Sequence, residues 1–275
     1  MRIRIGSIAT IIFLTFTSIA LLFPIFWTIS TSLKTRAETF QLPPVYLGFT
    51  PTLRNYEALF TDAAFLRVLI NTIVVTVGAT LLAITVGALA AYGLARARSF
   101  PGRRPLEVSL ILLRAMPGVV LVVPLYDLLA NAGLLGRMPT LIVLYALVNL
   151  PFAIWIMTPY FQGIPAELEE AAVVDGASSR IVFLRIVLPV ALPGIAATAL
   201  FVGLLSWNEF LIPVVLGNES TKTLPVLISG FISARDLDWG PMAAASSLAI
   251  IPIAIVTIVM QRRLVSGLSQ GAVKG

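Results

Sequence analysis

Long apolar runs separated by short charged segments fix the solvent in which this chain folds. A bilayer core of about 30 Å is crossed by roughly 20 apolar residues in a helix, and only helices or closed barrels satisfy their backbone hydrogen bonds there. Six stretches meet that requirement, from about Ile5 to Ile29, Val68 to Leu94, Leu106 to Leu129, Thr140 to Phe161, Val190 to Leu216 and Met242 to Met260. Only 12% of the 275 residues are charged, against about a quarter in soluble domains, which is too few to cover a surface facing water. The expected fold class is all-α and integral to the membrane, with six transmembrane helices in one domain spanning 1–275.

Arg2 and Arg4 precede the first apolar run, but that run exceeds a signal-peptide core and no small-residue cleavage site follows it, so it reads as an uncleaved helix. Residues 31–67 carry Lys34, Arg36, Glu38, Arg54, Glu57 and Asp62 among prolines 43, 44 and 51, the mark of a solvated loop with a short helix near Asn55 to Leu66. Gly78, Gly87 and Gly93 in the second span allow close helix packing. Counting arginines and lysines in the short loops puts both termini and the 162–189 loop on the cytoplasmic side, with 31–67 outside and 261–275 as a cytoplasmic tail. The location is then a bacterial or archaeal plasma (inner) membrane, crossed several times.

The chain has no cysteine and no histidine, which removes disulfides, thiol nucleophiles, cysteine–histidine zinc sites and histidine bases. Its net charge of +6 belongs beside anionic lipid rather than nucleic acid, because no basic patch carries interleaved aromatics. Gly217-x-x-x-x-Lys222-Thr223 lacks the glycine that a phosphate loop needs before its lysine. No internal duplication is visible, which weighs against transporters built from inverted repeats in one chain.

The loop between the fourth and fifth spans holds the most specific pattern. Pro165 suits a helix start, Glu167, Glu169 and Glu170 favour its early turns, and Gly176 is placed to end it in a left-handed turn. Leu168, Ala171, Ala172 and Asp175 fall on one face. The following Ile181 to Pro189 stretch is apolar enough to lie as a second helix in the membrane interface, with Arg180 and Arg185 reaching toward water. A short helix, a bend and a second helix make a compact projection suited to a groove on a cytoplasmic partner.

Glu170-Ala171-Ala172, three residues, Gly176, nine residues, then Ile186-x-Leu188-Pro189 resembles at every position the EAA loop of binding-protein-dependent ABC importer permeases. Trp207-Asn208-Glu209-Phe210, Ala91-Tyr92-x-x-Ala95-Arg96 before the Phe100-Pro101-Gly102 turn, and the ending from Gln261 to Gly275 are similar to the carbohydrate, maltose-type branch. The resemblance implies the type I permease fold, with Glu170, Ala171, Ala172, Asp175, Gly176, Ile186, Leu188 and Pro189 in a loop that couples to an ATPase dimer. It further implies a second permease subunit, an extracytoplasmic solute-binding protein, and ATP and magnesium bound by the ATPase subunits, so that this chain carries no cofactor and no catalytic residue.

Polar residues inside apolar spans are the remaining candidates. Asn149, Asn208 and Glu209 have two readings: they line a solute path, or they bond between helices. Trp207, the fourth candidate for the path, either stacks on a sugar ring or anchors at the membrane interface. Trp155 and Tyr160 have the same alternatives of sugar stacking and interface anchoring. Arg114 carries a charge that costs about 3 kcal/mol at a helix centre, and it has two readings: a pathway or gate residue, or one that faces the bundle interior and offsets that cost by pairing with a carboxylate or backbone carbonyl. The rival function is a secondary transporter or channel acting without an ATPase. It requires an intramembrane acid, and Glu209 is the strongest candidate.

Overall fold

Helices account for all the regular structure among the described residues. The computed structural model describes residues 5–97, 101–232 and 238–272, and side chains within 10–259 of them. Arg2, Arg4, Arg98, Phe100, Arg235 and Asp236 lie outside these residues, as do the side chains of the Gln261 to Gly275 ending. In chain order the helices are α1 (Ile5–Ser32), α2 (Arg36–Thr39), α3 (Arg54–Thr61), α4 (Ala63–Arg96), α5 (Arg103–Ala115), α6 (Gly118–Asn131) and α7 (Met138–Gln162). Then come α8 (Ala166–Val174), α9 (Ser179–Val182), a π-turn (Phe183–Val187), α10 (Leu188–Trp207), α11 (Leu211–Leu216), α12 (Leu224–Gly230) and α13 (Trp239–Ala272).

Among the described residues, five helices are long and apolar enough to cross a membrane: Thr10–Ser32 of α1, α4, α7, the continuous Ser179–Trp207 segment, and Trp239–Val259 of α13. The sixth expected span differs, because it is two helices, α5 and α6, bent by 86°. Pro117 is the cause. It has no N–H to continue the ladder, and it drives the preceding residue to extended backbone, which Met116 adopts at φ −67° and ψ 134°. The fifth span also stops early, at Trp207 rather than Leu216. There Asn208 turns its side-chain amide back to the Leu204 carbonyl at 2.8 Å, Glu209 accepts the Ile212 N–H at 3.1 Å, and Pro213 lacks the N–H that the Glu209 carbonyl would need.

The stretch from Ile181 to Pro189 is not a separate helix; it runs through the π-turn into α10. The widened turn precedes Pro189, whose ring would otherwise crowd the Arg185 carbonyl. At the other end of the chain, α13 continues to Ala272, so helix occupies most of the expected 261–275 tail.

The chain divides into two compact units. In the unit comprising 1–67 and 227–254, the 31–67 loop is held by specific bonds. Asn55 donates to the carbonyls of Ser32 and Lys34 at 2.8 and 3.0 Å, and Ser32 shares a 2.7 Å hydrogen bond with the Tyr56 hydroxyl. Thr35 and Glu38 form a reciprocal cap on α2, and the second Glu38 oxygen accepts the Thr50 N–H at 3.0 Å. Lys34 is 2% exposed, with its ammonium 4.3 Å from the Trp27 ring centre. Burial pushes its pKa down, against a smaller upward pull from Glu38.

The unit comprising 68–226 and 255–275 holds the main core. Ala79, Ala83, Ala88, Ala91 and Ala95 present a small-residue face on α4, buried in the same cluster as Tyr145, Met157 and Phe161 of α7. Small residues let helix backbones approach closely, and Gly78 and Gly87 of α4 abut Ile142 and Met157 of α7. Gly93 meets nothing within 4 Å, so packing does not explain it. The tightest site is Gly194 of α10, where an added Cβ would overlap the Tyr160 ring. Gly194→Ala is expected to destabilise the protein by roughly 2 kcal/mol, read as a lowered Tm in detergent, while Gly93→Ala leaves Tm unchanged or raised.

Candidate functional site

Two sites are built within the 68–226 part of the chain. The first is the 162–189 loop. Pro165 stands at the N-cap of α8 and, after Asp175, Gly176 takes a φ of +83°. The Gly176 N–H donates to the Val173 carbonyl at 3.0 Å and the Ala177 N–H to Ala172 at 2.9 Å. That pair of bonds is the Schellman ending, which satisfies the last carbonyls and requires the left-handed residue. Ala172 and Ala177 pack together against the core.

α8 is held from below by a side chain that sequence reading did not assign to the site. The Arg96 Nε donates to Glu169 Oε1 at 2.8 Å, and its Nη2 reaches the same oxygen. Arg96 also donates to the carbonyl of Phe161 in the last turn of α7 at 2.9 Å and to that of Ile164 just beyond it at 3.2 Å. The Tyr92 hydroxyl donates to Glu169 Oε2 at 2.6 Å. One guanidinium therefore ties α4, the end of α7 and α8 together. Burial would raise the Glu169 carboxyl, but the Arg96 and Tyr92 hydrogen bonds and the Arg96 charge outweigh it and hold the acid below its ordinary value of 4.5. The i, i+4 spacing of Tyr92 and Arg96, one turn apart at the charged end of an apolar helix, was the available signal.

With Glu169 and Ala172 turned inward, the opposite side of α8 is uncovered. Glu170, Ala171 and Asp175 are exposed, as are Leu168, Val173 and Val174. The face expected to hold Leu168, Ala171, Ala172 and Asp175 is therefore the outer one, except that Ala172 is half-buried. Ile186 and Leu188 are half-buried, and Pro189 is exposed.

The second site is a cavity of about 530 Å³. It lies where two helix breaks meet: Gly118, which begins α6, is so close to Leu211, which begins α11, that an added Cβ would stand 3.0 Å from its methyl carbon. Arg114 from the last turn of α5 lines it, with Phe152 of α7, Phe201 of α10, and Asn208 and Glu209 from the α10–α11 break. The Arg114 guanidinium carbon stands 5.6 Å from the Phe152 ring centre, and no described carboxylate pairs with it. The expectation of an inward, paired arginine therefore gives way to an exposed one resting on an aromatic ring.

Of the four candidate path residues, Asn208 and Glu209 line this cavity; Asn149 and Trp207 are buried and do not. Asn149 bonds between helices, donating to Ser206 at 3.3 Å. Trp155 is exposed, and the Tyr160 ring packs on Gly194. The Gly217 to Thr223 segment is a turn closed by its own Asn218, whose side-chain oxygen accepts the Ser220 and Thr221 N–H groups at 2.9 and 3.2 Å.

Comparison with known proteins gives the family. The trehalose transport system permease protein SugB of Mycobacterium tuberculosis is 36% identical, over 92% of this chain and 93% of its own. The diacetylchitobiose uptake system permease protein DasC of Streptomyces coelicolor is 33% identical, over 94% and 93%. A bacterial ABC transporter involved in the import of the acidic polysaccharide alginate has a chain that superposes with a TM-score of 0.80 at 25% identity, covering 94% of this chain and 96% of that one. The family model described as binding-protein-dependent transport system inner membrane component matches residues 83–270. With that match spanning both the Arg96-held loop and the cavity, the chain belongs to this family of multi-pass inner-membrane transport permeases.

Proposed function

We propose that this chain is one of two permease subunits of an ABC importer for a sugar-type solute. In this reading both termini and the 162–189 loop are cytoplasmic, and 1–275 works as one permease domain. ATP and magnesium are bound by an ATPase dimer, which docks on α8. An extracytoplasmic binding protein delivers solute, and the cavity lined by Asn208 and Glu209 forms part of the path. This chain contributes no catalytic residue.

The observation that carries the reading is a short helix tied down on its inner side by Arg96 and left uncovered on its outer side, where large apolar residues stand beside Glu170 and Asp175. Leu168, Val173 and Val174 are uncovered while Glu169 is clamped by Arg96. A helix tied to two others and presenting uncovered apolar side chains suits transmission of a partner's movement. The relatives' sugars support the solute class. An autonomous transporter is disfavoured by the match to the binding-protein-dependent transport family.

Val174→Asp places a charge on the docking face, 87% exposed in the isolated chain. It is expected to reduce co-purification of the ATPase subunits at least tenfold while the permease pair stays intact. Solute uptake by liposomes holding this chain without ATPase subunits would instead establish the autonomous transporter.

A further inference from the structure

We infer that the cavity between the two helix breaks is a saccharide subsite on this subunit, selective for neutral sugars over acidic ones, with Arg114 and Glu209 as its specificity-determining pair. The inference rests on the importer reading above and deepens it.

Position comes first. Discontinuous helices put free backbone ends and polar side chains around a cavity, and irregular backbone at membrane depth is tolerated where it lines one. Here both breaks, after Ala115 and after Trp207, border the same space. Its volume of about 530 Å³ falls in the usual range of roughly 300–1,000 Å³ for small-molecule pockets.

Its polar groups offer both donors and acceptors. Arg114, 5.6 Å from the Phe152 ring centre, brings the five N–H donors of a planar guanidinium. Asn208 spends its amide nitrogen on the Leu204 carbonyl, so its oxygen remains as an acceptor. Glu209 spends one oxygen on the Ile212 N–H and keeps the other. The walls are apolar: Phe201 stands edge-on to Phe152 with ring centres 6.4 Å apart, beside Leu204 and Leu205. A sugar ring matches this set, with hydroxyls that donate and accept around its rim and a C–H face for the apolar wall.

Charge decides among sugars. Among the described residues, Arg114 and Glu209 are the ionisable ones lining the cavity, and their formal charges sum to zero. A neutral sugar satisfies both by donating to the carboxylate and accepting from the guanidinium. A uronate or sulfonate would pair with Arg114 but bring its own charge against Glu209, while a simple cation has nothing to accept the Arg114 donors.

The test uses the full transporter, with partner permease, ATPase subunits and binding protein, in proteoliposomes. The probes are labelled maltose and trehalose as neutral disaccharides and digalacturonate as the acidic one. Wild type is expected to take up at least one neutral probe and to discriminate at least tenfold against digalacturonate. Arg114→Gln should raise the KM for the neutral probe about tenfold, with Arg114→Lys recovering part of the loss. Glu209→Gln keeps an acceptor for Ile212 but leaves the cavity positive, and should reduce the discrimination against digalacturonate at least tenfold. A purely structural role for either residue would not move that charge preference. Neutral uptake with unchanged KM and preference in all variants would overturn the subsite and leave the importer intact. Uptake of digalacturonate alone by wild type would overturn the neutral selectivity. Failure of all three probes to be taken up or to stimulate ATP hydrolysis would overturn the sugar-importer reading itself, and the subsite with it.

Discussion

Gly176→Val is expected to abolish coupling between ATP hydrolysis and uptake, while Gly176→Asn preserves most of it. Gly176 holds a φ of +83°, a region that a β-branched residue enters at a cost of about 2 kcal/mol and that asparagine tolerates far better. An added Cβ there would meet nothing within 4 Å. The contrast between the two variants therefore reports backbone conformation alone. A shift of about 2 kcal/mol changes the population of the turn by roughly thirtyfold, and the two Schellman bonds at Val173 and Ala172 are lost with it. The measurement is uptake per ATP hydrolysed in proteoliposomes. Normal coupling in the valine variant would refute a mechanical role for the turn.

Arg96→Ala should release α8 from its mount. The pair it forms with Glu169 is well shielded, at 21% and 13% side-chain exposure, and removing one partner of such a pair costs about 3 kcal/mol. The Phe161 and Ile164 carbonyls lose the guanidinium N–H groups at the same time. Amides from 163 to 176 should exchange at least tenfold faster with deuterium in the alanine variant. Lysine should restore little of the protection, because one ammonium cannot reproduce the guanidinium fork. The acid's depressed pKa sets the pH dependence. A carboxylate held below its ordinary value of 4.5 contributes its full stabilisation above that pH and loses it as pH falls through the lower, folded value. Exchange in this loop should therefore be insensitive to ionisation of Glu169 from pH 8 to 5 and rise only in stronger acid. Equal protection in Arg96→Ala and wild type would refute the clamp.

What the sequence made legible was whatever depends on local backbone chemistry. Apolar run length located the spans, and Gly176 with its flanking alanines announced a helix ending in left-handed backbone. The Glu170 to Pro189 spacing carried the family. Breaks and long-range pairs were harder to read. Pro117 and Pro124 both sit in one apolar run, yet only Pro117 ends a helix, because Pro124 is accommodated inside α6. Glu169 lies 73 residues from Arg96 in the chain, so no local pattern distinguishes it from its exposed neighbour Glu170. Asn149 and Asn208 looked equivalent as amides in apolar helices, and only three-dimensional placement separates the interhelical bond of one from the cavity position of the other.

The bend between α5 and α6 also explains how Arg114 persists with no described carboxylate paired to it. No described backbone hydrogen bond joins the two helices across Met116 and Pro117, so α5 ends with open carbonyls. The aligned peptide dipoles of a helix place roughly half a negative charge at such an end, and Arg114 occupies that last turn. The electric field that favours the guanidinium comes from the helix terminus itself and needs no acidic side chain. Straightening the joint would extend the hydrogen-bond ladder and extinguish that field. The charge at position 114 and the angle at position 117 are therefore coupled, and a variant that heals the break should make the arginine harder to keep.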